Sequence, residues 1–254
     1  MELPETPSFR VDGTRAFVTG GSRGIGLGAA VALADAGAFV LIASRSSADL
    51  AMVTASIREH GGECDAVELD VTDVDSVTAV VDEQDPFDIL VNNAGLNRPG
   101  PMQNMTPGDF DAVMNINVRA AYFVTKAVVK KMLLKGQGGS IITTSSQMGR
   151  VGGIDRTIYC ASKHAVEGMT RALAVELGEH NIRVNTICPT FISTPLTKQT
   201  LDDPDLLAWV HSKIKLGRIG EVEDIMGAVV FLASSASAMI TGSSLMIDGG
   251  WTAG

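Results

Sequence analysis

Cysteine is scarce in this 254-residue chain, and the three present, Cys64, Cys160 and Cys188, are odd in number and widely spaced. Neither a disulfide framework nor a zinc site follows from that pattern, and a reducing cytoplasm is the expected setting. Positive charge is also short: 20 Lys+Arg stand against 29 Asp+Glu, a formal net charge of -9. Phosphate backbones would be repelled, so nucleic acid is not an expected partner. No run reaches the roughly 18 uninterrupted apolar residues of a membrane-spanning helix. The start, MELPETPSFRVDG, lacks the basic residues and apolar core of a signal peptide. His60, His164, His180 and His211 are scattered, and no metal is expected.

What the chain has is apolar bulk, 45% of residues against 19% charged, enough for one core and most simply a single domain over 1–254. From residue 15 onward, β-rich runs at 15–19, 39–43, 65–69, 89–92, 140–144, 183–188 and 244–247 alternate with longer stretches of helical period. Several of those runs are nearly all apolar, as strands buried on both faces should be. The predicted fold is α/β, one doubly wound, Rossmann-like parallel sheet of seven strands. Gly37 and Gly61 read as left-handed C′ residues, and Thr106 and Pro107 as N-cap and N1 of a long helix over 107–134. A second long helix is expected over 159–178. The segment 190–220, which follows Pro189 and holds Pro195, Pro204 and Trp209, breaks the rhythm and is expected to be a substrate lid or, failing that, an added surface helix.

After the first strand comes TGGSRGIG, residues 19–26, whose Gly20, Gly24 and Gly26 lead into a helix. Such a turn lets backbone N–H groups approach a pyrophosphate at a helix N-terminus, which predicts a dinucleotide contacting Gly20, Ser22, Arg23, Gly24 and Ile25. Its G-x-x-x-G-x-G spacing departs from G-x-G-x-x-G, so position in the βαβ unit carries more weight than the pattern. The second strand ends in Ser44 and Arg45, where an NAD site would carry an acidic residue for the ribose. Arg23 and Arg45 together favour a 2′-phosphate, hence NADP(H). Two solvated surface arginines, with NAD(H) accepted as well, is the open alternative.

TGGSRGIG, LDVTD (69–73), NNAG (92–95), MNINV (114–118), SSQMG (145–149), YCASK (159–163), CPTFIST (188–194) and SSLMIDGG (243–250) follow one another in order. The chain resembles the short-chain dehydrogenase/reductase family from about residue 15 to its end. That resemblance implies Tyr159 as acid/base, Lys163 as its partner, Ser146 as the hydroxyl positioning the carbonyl and Asn117 as fourth member of a tetrad. It further implies cofactor contacts at Asp70 and Val71 on the adenine side and at Asn93, Ala94 and Gly95 beside the ribose. Pro189, Ile192 and Thr194 would lie near the nicotinamide carboxamide. Thr190 stands where many relatives have glycine. Relatives commonly form tetramers through helices matching 107–134 and 159–178 plus a C-terminal strand, and a homotetramer is expected.

The chemistry agrees with those residue types. Carbonyl reduction needs a hydride at carbon and a proton at oxygen, and the protein supplies the second. Tyrosine ionises near 10, and a lysine ammonium four residues on, together with the positive charge of an oxidised nicotinamide, is expected to lower that value. By itself Tyr-x-x-x-Lys is equally an ordinary helical pair. Ser146 reads also as a turn residue, and Asn117 either as the holder of a water leading to Lys163 or as a bond to a local carbonyl. Leu96, Arg98, Gln147, Met148, Ile154, Arg156, Phe191 and 195–216 are expected to face a small carbonyl or alcohol substrate.

The expected activity is NADP-dependent interconversion of a ketone and a secondary alcohol. A 3-oxoacyl-carrier-protein reductase and an NAD-dependent polyol or sugar-acid dehydrogenase are the alternatives. For a carrier, Gln137 and His180 occupy places where basic docking residues would stand, though Lys130, Lys131 and Lys135 can partly compensate. A catalytically silent dinucleotide sensor is the reading of a different class.

Overall fold

In the computed structural model, residue 1 and residues 3–254 are described, Gln199 by its backbone alone. Seven strands form one sheet: β1 (Arg15–Thr19), β2 (Phe39–Ser44), β3 (Glu63–Glu68), β4 (Ile89–Asn92), β5 (Gly139–Thr144), β6 (Ile182–Pro189) and β7 (Ser244–Ile247). Their order is β3-β2-β1-β4-β5-β6-β7, and every pairing is parallel. Order explains composition. The apolar runs β1, β2, β4, β5 and β6 are interior and buried, whereas β3 and β7 are edges. Edge strand β3, ECDAVE, therefore buries only part of itself, and it covers residues 63–68 where the sequence reading placed 65–69.

Side-chain alternation along each strand feeds two layers. On one side Val18, Ile42 and Val91 meet α1 (Gly24–Asp35), α2 (Ser47–Glu59) and α9 (Glu223–Ala233) through Leu33, Ile57 and Val229. On the other, Phe17, Leu41, Leu90 and Ile141 meet α3 (Val74–Glu83), α5 (Ala121–Lys135) and α6 (Thr157–Leu177) through Val81, Val128 and Leu177. Gly37 and Gly61 follow α1 and α2 with φ of +101° and +86°, the left-handed stops their positions predicted.

The helix expected over 107–134 is not continuous. Thr106 caps α4 (Pro107–Met114) through a capping box with Asp109, but residues Asn115–Ala120 form a π-helical segment before α5 begins. One extra residue per turn re-aims the side chains there, and Asn117 is the one drawn inward. Segment 190–220 also contains helices: the short α7 (Lys198–Leu201) and α8 (Pro204–Lys213), capped by Asp203 with Pro204 at N1. Its stem is closed, because Ser193 N–H donates to the Gly220 carbonyl (2.8 Å) and Gly220 N–H to the Phe191 carbonyl (3.1 Å). Beneath it Phe191 stacks on Trp251 at 5.8 Å between ring centres, and Trp209 meets Trp251 edge-on at 5.2 Å. Among the described residues no helix is long and apolar enough to cross a membrane.

Candidate active site

From β1 the chain order runs to β2 on one side, and β4 lies on the other, so the sheet reverses between β1 and β4. Loops leaving those two carboxyl ends part there and leave a crevice. It is a cleft of about 820 Å³ lined by Gly20, Ser22, Arg23, Gly24, Ile25, Ser44, Arg45, Asp70, Val71, Asn93, Ala94, Gly95, Ser146, Tyr159, Lys163, Pro189, Ile192 and Thr194. All the residues that the sequence assigned to cofactor contact thus meet in one place. Asn117 is the exception in the catalytic set and stands one layer behind.

The cradle at the start of α1 has no room for side chains. Gly24 takes φ +55°, and a Cβ on Gly26 would come within 2.3 Å of both Asn93 Nδ2 and the Gly20 carbonyl. Asn93 is what holds this turn, since its Nδ2 donates to the carbonyls of Thr19 (3.2 Å) and Gly20 (3.1 Å). First-turn N–H groups of α1 have no side-chain cap, so they stay available to an anion. Arg23 and Arg45 are exposed at the rim, and among the described residues neither guanidinium has a hydrogen-bond or ion-pair partner. An open, glycine-walled helix N-terminus with two uncommitted cations fits a phosphorylated dinucleotide.

At the other end of the cleft Lys163 is buried, donates to the Thr144 carbonyl (2.7 Å) and sits 5.5 Å above the Tyr159 ring centre. Burial alone drives its pKa down to about 8, against the pull of Cys188 and Glu167. Tyr159 moves the opposite way, to about 12, because burial outweighs its hydrogen bond with Ser146. The lowering expected from a neighbouring lysine is therefore not a property of the protein alone: desolvation wins, and the phenol is firmly protonated. Ser146 Oγ accepts from Met148 N–H (3.1 Å), leaving its own proton free to point at the phenol or at a substrate oxygen.

Asn117 is bonded to protein through both side-chain atoms. Leu96 N–H donates to its Oδ1 (2.8 Å), while Nδ2 donates to the Leu96 carbonyl (2.9 Å) and to Ser162 Oγ (3.0 Å). Ser162 in turn donates to the Tyr159 carbonyl (2.7 Å), so Asn117 braces the helix that carries the phenol. The carbonyl it finds is that of Leu96, distant in sequence rather than local. Among the residues expected to face a substrate, Leu96 lines the cleft. Arg98 is instead paired with Asp109 (2.6 Å), Gln147 and Met148 are buried, and Phe191 belongs to the aromatic cluster. Ile154 is exposed and Arg156 half-buried.

Of the expected 195–216, Pro195, Leu196 and Thr197 line the cleft, which has further walls that sequence reasoning passed over: Ser46, Asp49, Leu69, Ile116, Thr144 and Ser145. Most adjoin a motif in sequence, and that adjacency was the available signal. Thr190, which replaces the commoner glycine, is also on the wall. Among the described residues no group of His, Cys, Asp and Glu could hold a metal.

A family profile described as enoyl-(acyl carrier protein) reductase matches residues 20–252. D-erythrulose reductase of Gallus gallus is 38% identical over 96% of this chain and 98% of its own. Gluconate 5-dehydrogenase of Gluconobacter oxydans (strain 621H) is 36% identical over 96% of each chain. The chain belongs to the short-chain dehydrogenase/reductase family. The crystal structure of a gluconate 5-dehydrogenase from Burkholderia cenocepacia J2315, in complex with NADP and tartrate, matches with a TM-score of 0.94 at 35% identity, over 97% of this chain and 98% of that one. The seven-stranded sheet is thus that of a short-chain dehydrogenase/reductase along nearly its full length.

Proposed function

We propose that the protein interconverts a carbonyl and a secondary alcohol on a small polyol, ketose or sugar acid, with NADP(H) as cofactor and Tyr159 as acid/base. The observation that carries this reading is the single cleft, which joins an uncapped helix N-terminus and two free arginines to a protonated phenol, a hydroxyl and a buried ammonium. Relatives that act on erythrulose or gluconate, and a related structure holding NADP and tartrate, support the cofactor and the substrate class. When bound, the nicotinamide supplies or accepts the hydride.

This chain's residues handle the oxygen. Ser146 Oγ donates to the substrate carbonyl, and Tyr159 gives it the phenolic proton as the carbon becomes tetrahedral. Lys163, fixed by the Thr144 carbonyl, stabilises the phenolate left behind. Asn117 keeps α6 in place through Ser162. Oxidation runs the same proton backwards. Segment 190–220 serves as a lid on the substrate side, with 194–197 on the cleft wall, and residues 1–254 work as one catalytic domain.

A carrier-bound acyl substrate is disfavoured, because Lys130, Lys131 and Lys135 are engaged with Asp82, with carbonyls ending α3, and with Asp88. We further propose a cytoplasmic homotetramer. Its three cysteines are free, and Tyr122, Leu133 and Leu134 on α5 with Val175 on α6 are exposed apolar residues. Light scattering should give four chain masses; a monomer contradicts the assembly.

The test is a panel of polyols, sugar acids, ketoses and neutral cyclic ketones with NADP(H), followed by nicotinamide absorbance. Reduction should lose kcat/KM above about pH 8, where Lys163 gives up its proton. The sign follows from an ammonium being the active form. Cofactor binding with no turnover on any compound would favour a dinucleotide sensor instead.

A further inference from the structure

Behind Lys163 lies a carboxylate that the chemistry above does not use. Glu167, 2% exposed, follows Lys163 by one helical turn on α6. An acidic group is rarely buried this deeply without partners. Here Thr186 Oγ1 donates to its Oε1 (2.9 Å), Cys188 Sγ donates to the same oxygen (3.4 Å) and Ser244 Oγ donates to Oε2. These donors stand on β6 and β7, so one carboxylate ties α6 to two strands. Burial opposes its charge, but the hydrogen bonds from Ser244, Thr186 and Cys188 prevail and hold its pKa below the ordinary carboxylate value.

It also touches the turn that presents Ser146. A Cβ on Gly149 would lie 2.9 Å from Ser145 Oγ, 3.1 Å from Glu167 Cγ and 3.2 Å from the Lys163 carbonyl, so these groups share one close-packed corner. Arg150, half exposed, ends that turn with Nε 4.0 Å from Glu167 Oε2.

We propose that Glu167 is a positioning residue for the acid/base pair: its buried negative charge keeps Lys163 an ammonium and pins the 145–150 turn that aims Ser146. The inference rests on the acid/base reading given above. Around Lys163 the ionisable groups are Tyr159 and Glu167 on its own helix and Cys188 on β6. The π-helical segment presents the uncharged Asn117, and β5 presents only the Thr144 carbonyl. Cys188 is a neutral thiol, pushed up to about 12 by burial. Among the described residues Glu167 is therefore the one anion at neutral pH that offsets the desolvation of Lys163. Arg150 acts on Lys163 only by partly neutralising Glu167.

The experiment is NMR titration of the Lys163 side chain in unliganded, 13C-lysine-labelled protein, the resonance assigned by its loss in Lys163→Met. Glu167→Gln preserves shape, its amide oxygen accepting from Thr186 and its amide nitrogen donating to the Ser244 hydroxyl, which turns to accept. Its Lys163 titration should fall at least about half a pH unit below wild type, and the alkaline limb of kcat/KM should move with it. Arg150→Ala, a surface change, should shift both upward. Should Glu167→Gln not fold, the Arg150→Ala result decides. An unmoved lysine titration overturns the inference, even if melting temperature or kcat falls uniformly, which is what a merely structural carboxylate would produce. A wild type that titrates as described yet turns over nothing would sink the functional reading and leave this coupling standing.

Discussion

Tyr159→Phe is expected to lower kcat by about 10²–10⁴-fold, the range for losing a positioned proton donor. Only the phenolic oxygen is deleted. The ring remains packed against the cluster of Met148, Phe191, Val210 and Ile214, and Lys163 remains held by the Thr144 carbonyl at 2.7 Å. Ser146 Oγ still accepts from Met148 N–H, so it does not collapse into the vacated space. The phenolic oxygen gives up only its contact with Ser146, and the stability change should stay within about 1 kcal/mol. KM for NADPH should change little, because the glycine turn and both arginines are untouched. Initial rates on the best substrate of the panel and a thermal melt check all three expectations. Turnover near wild type in a folded variant would remove Tyr159 from the mechanism.

Replacing the two rim arginines should cost NADPH at least about 10²-fold in kcat/KM while sparing NADH. A charge-assisted bond to phosphate contributes about 1.5–3 kcal/mol, and each 1.4 kcal/mol is tenfold. Two such bonds at an exposed rim, taken at the low end for screening, give the stated factor. Arg23→Ala removes one cation, and Arg45→Asp supplies the acidic acceptor that a ribose 2′-hydroxyl prefers. Neither native guanidinium bonds to the protein, so the double variant should melt within about 0.5 kcal/mol of wild type. A wild type that already prefers NADH, or a double variant indifferent to the exchange, contradicts the assignment of a 2′-phosphate to this rim.

Strands and turns were legible in the chain because their causes are local. Apolar runs mark strands covered on both faces, Gly37 and Gly61 mark left-handed stops, and Thr106 with Pro107 marks a helix start. The dinucleotide cradle was legible for the same reason, since glycine at 20, 24 and 26 has a steric meaning without reference to the rest of the fold. The break in the helix over 107–134 was not. A π-helical insertion is fixed by where Asn117 finds partners, and those are Leu96, twenty-one residues earlier, and Ser162, forty-five residues later. Arg98 and Phe191 were expected at the substrate for their positions after β4 and β6; a carboxylate on α4 and a tryptophan near the C-terminus claimed them instead.

Sequence by itself determined the seven-stranded α/β plan and the glycine turn, whose causes are local, and its ordered motifs named the arginines, phenol, hydroxyl and ammonium that the structure brings into one cleft. Tertiary structure decided their electrostatics. Desolvation depends on every atom packed around a group, and in the protein without cofactor it raises Tyr159 and lowers Lys163, which an i, i+4 spacing does not show. It also decided that Glu167, ordinary in the chain, is a buried charge, since only folding brings β6 and β7 beneath α6.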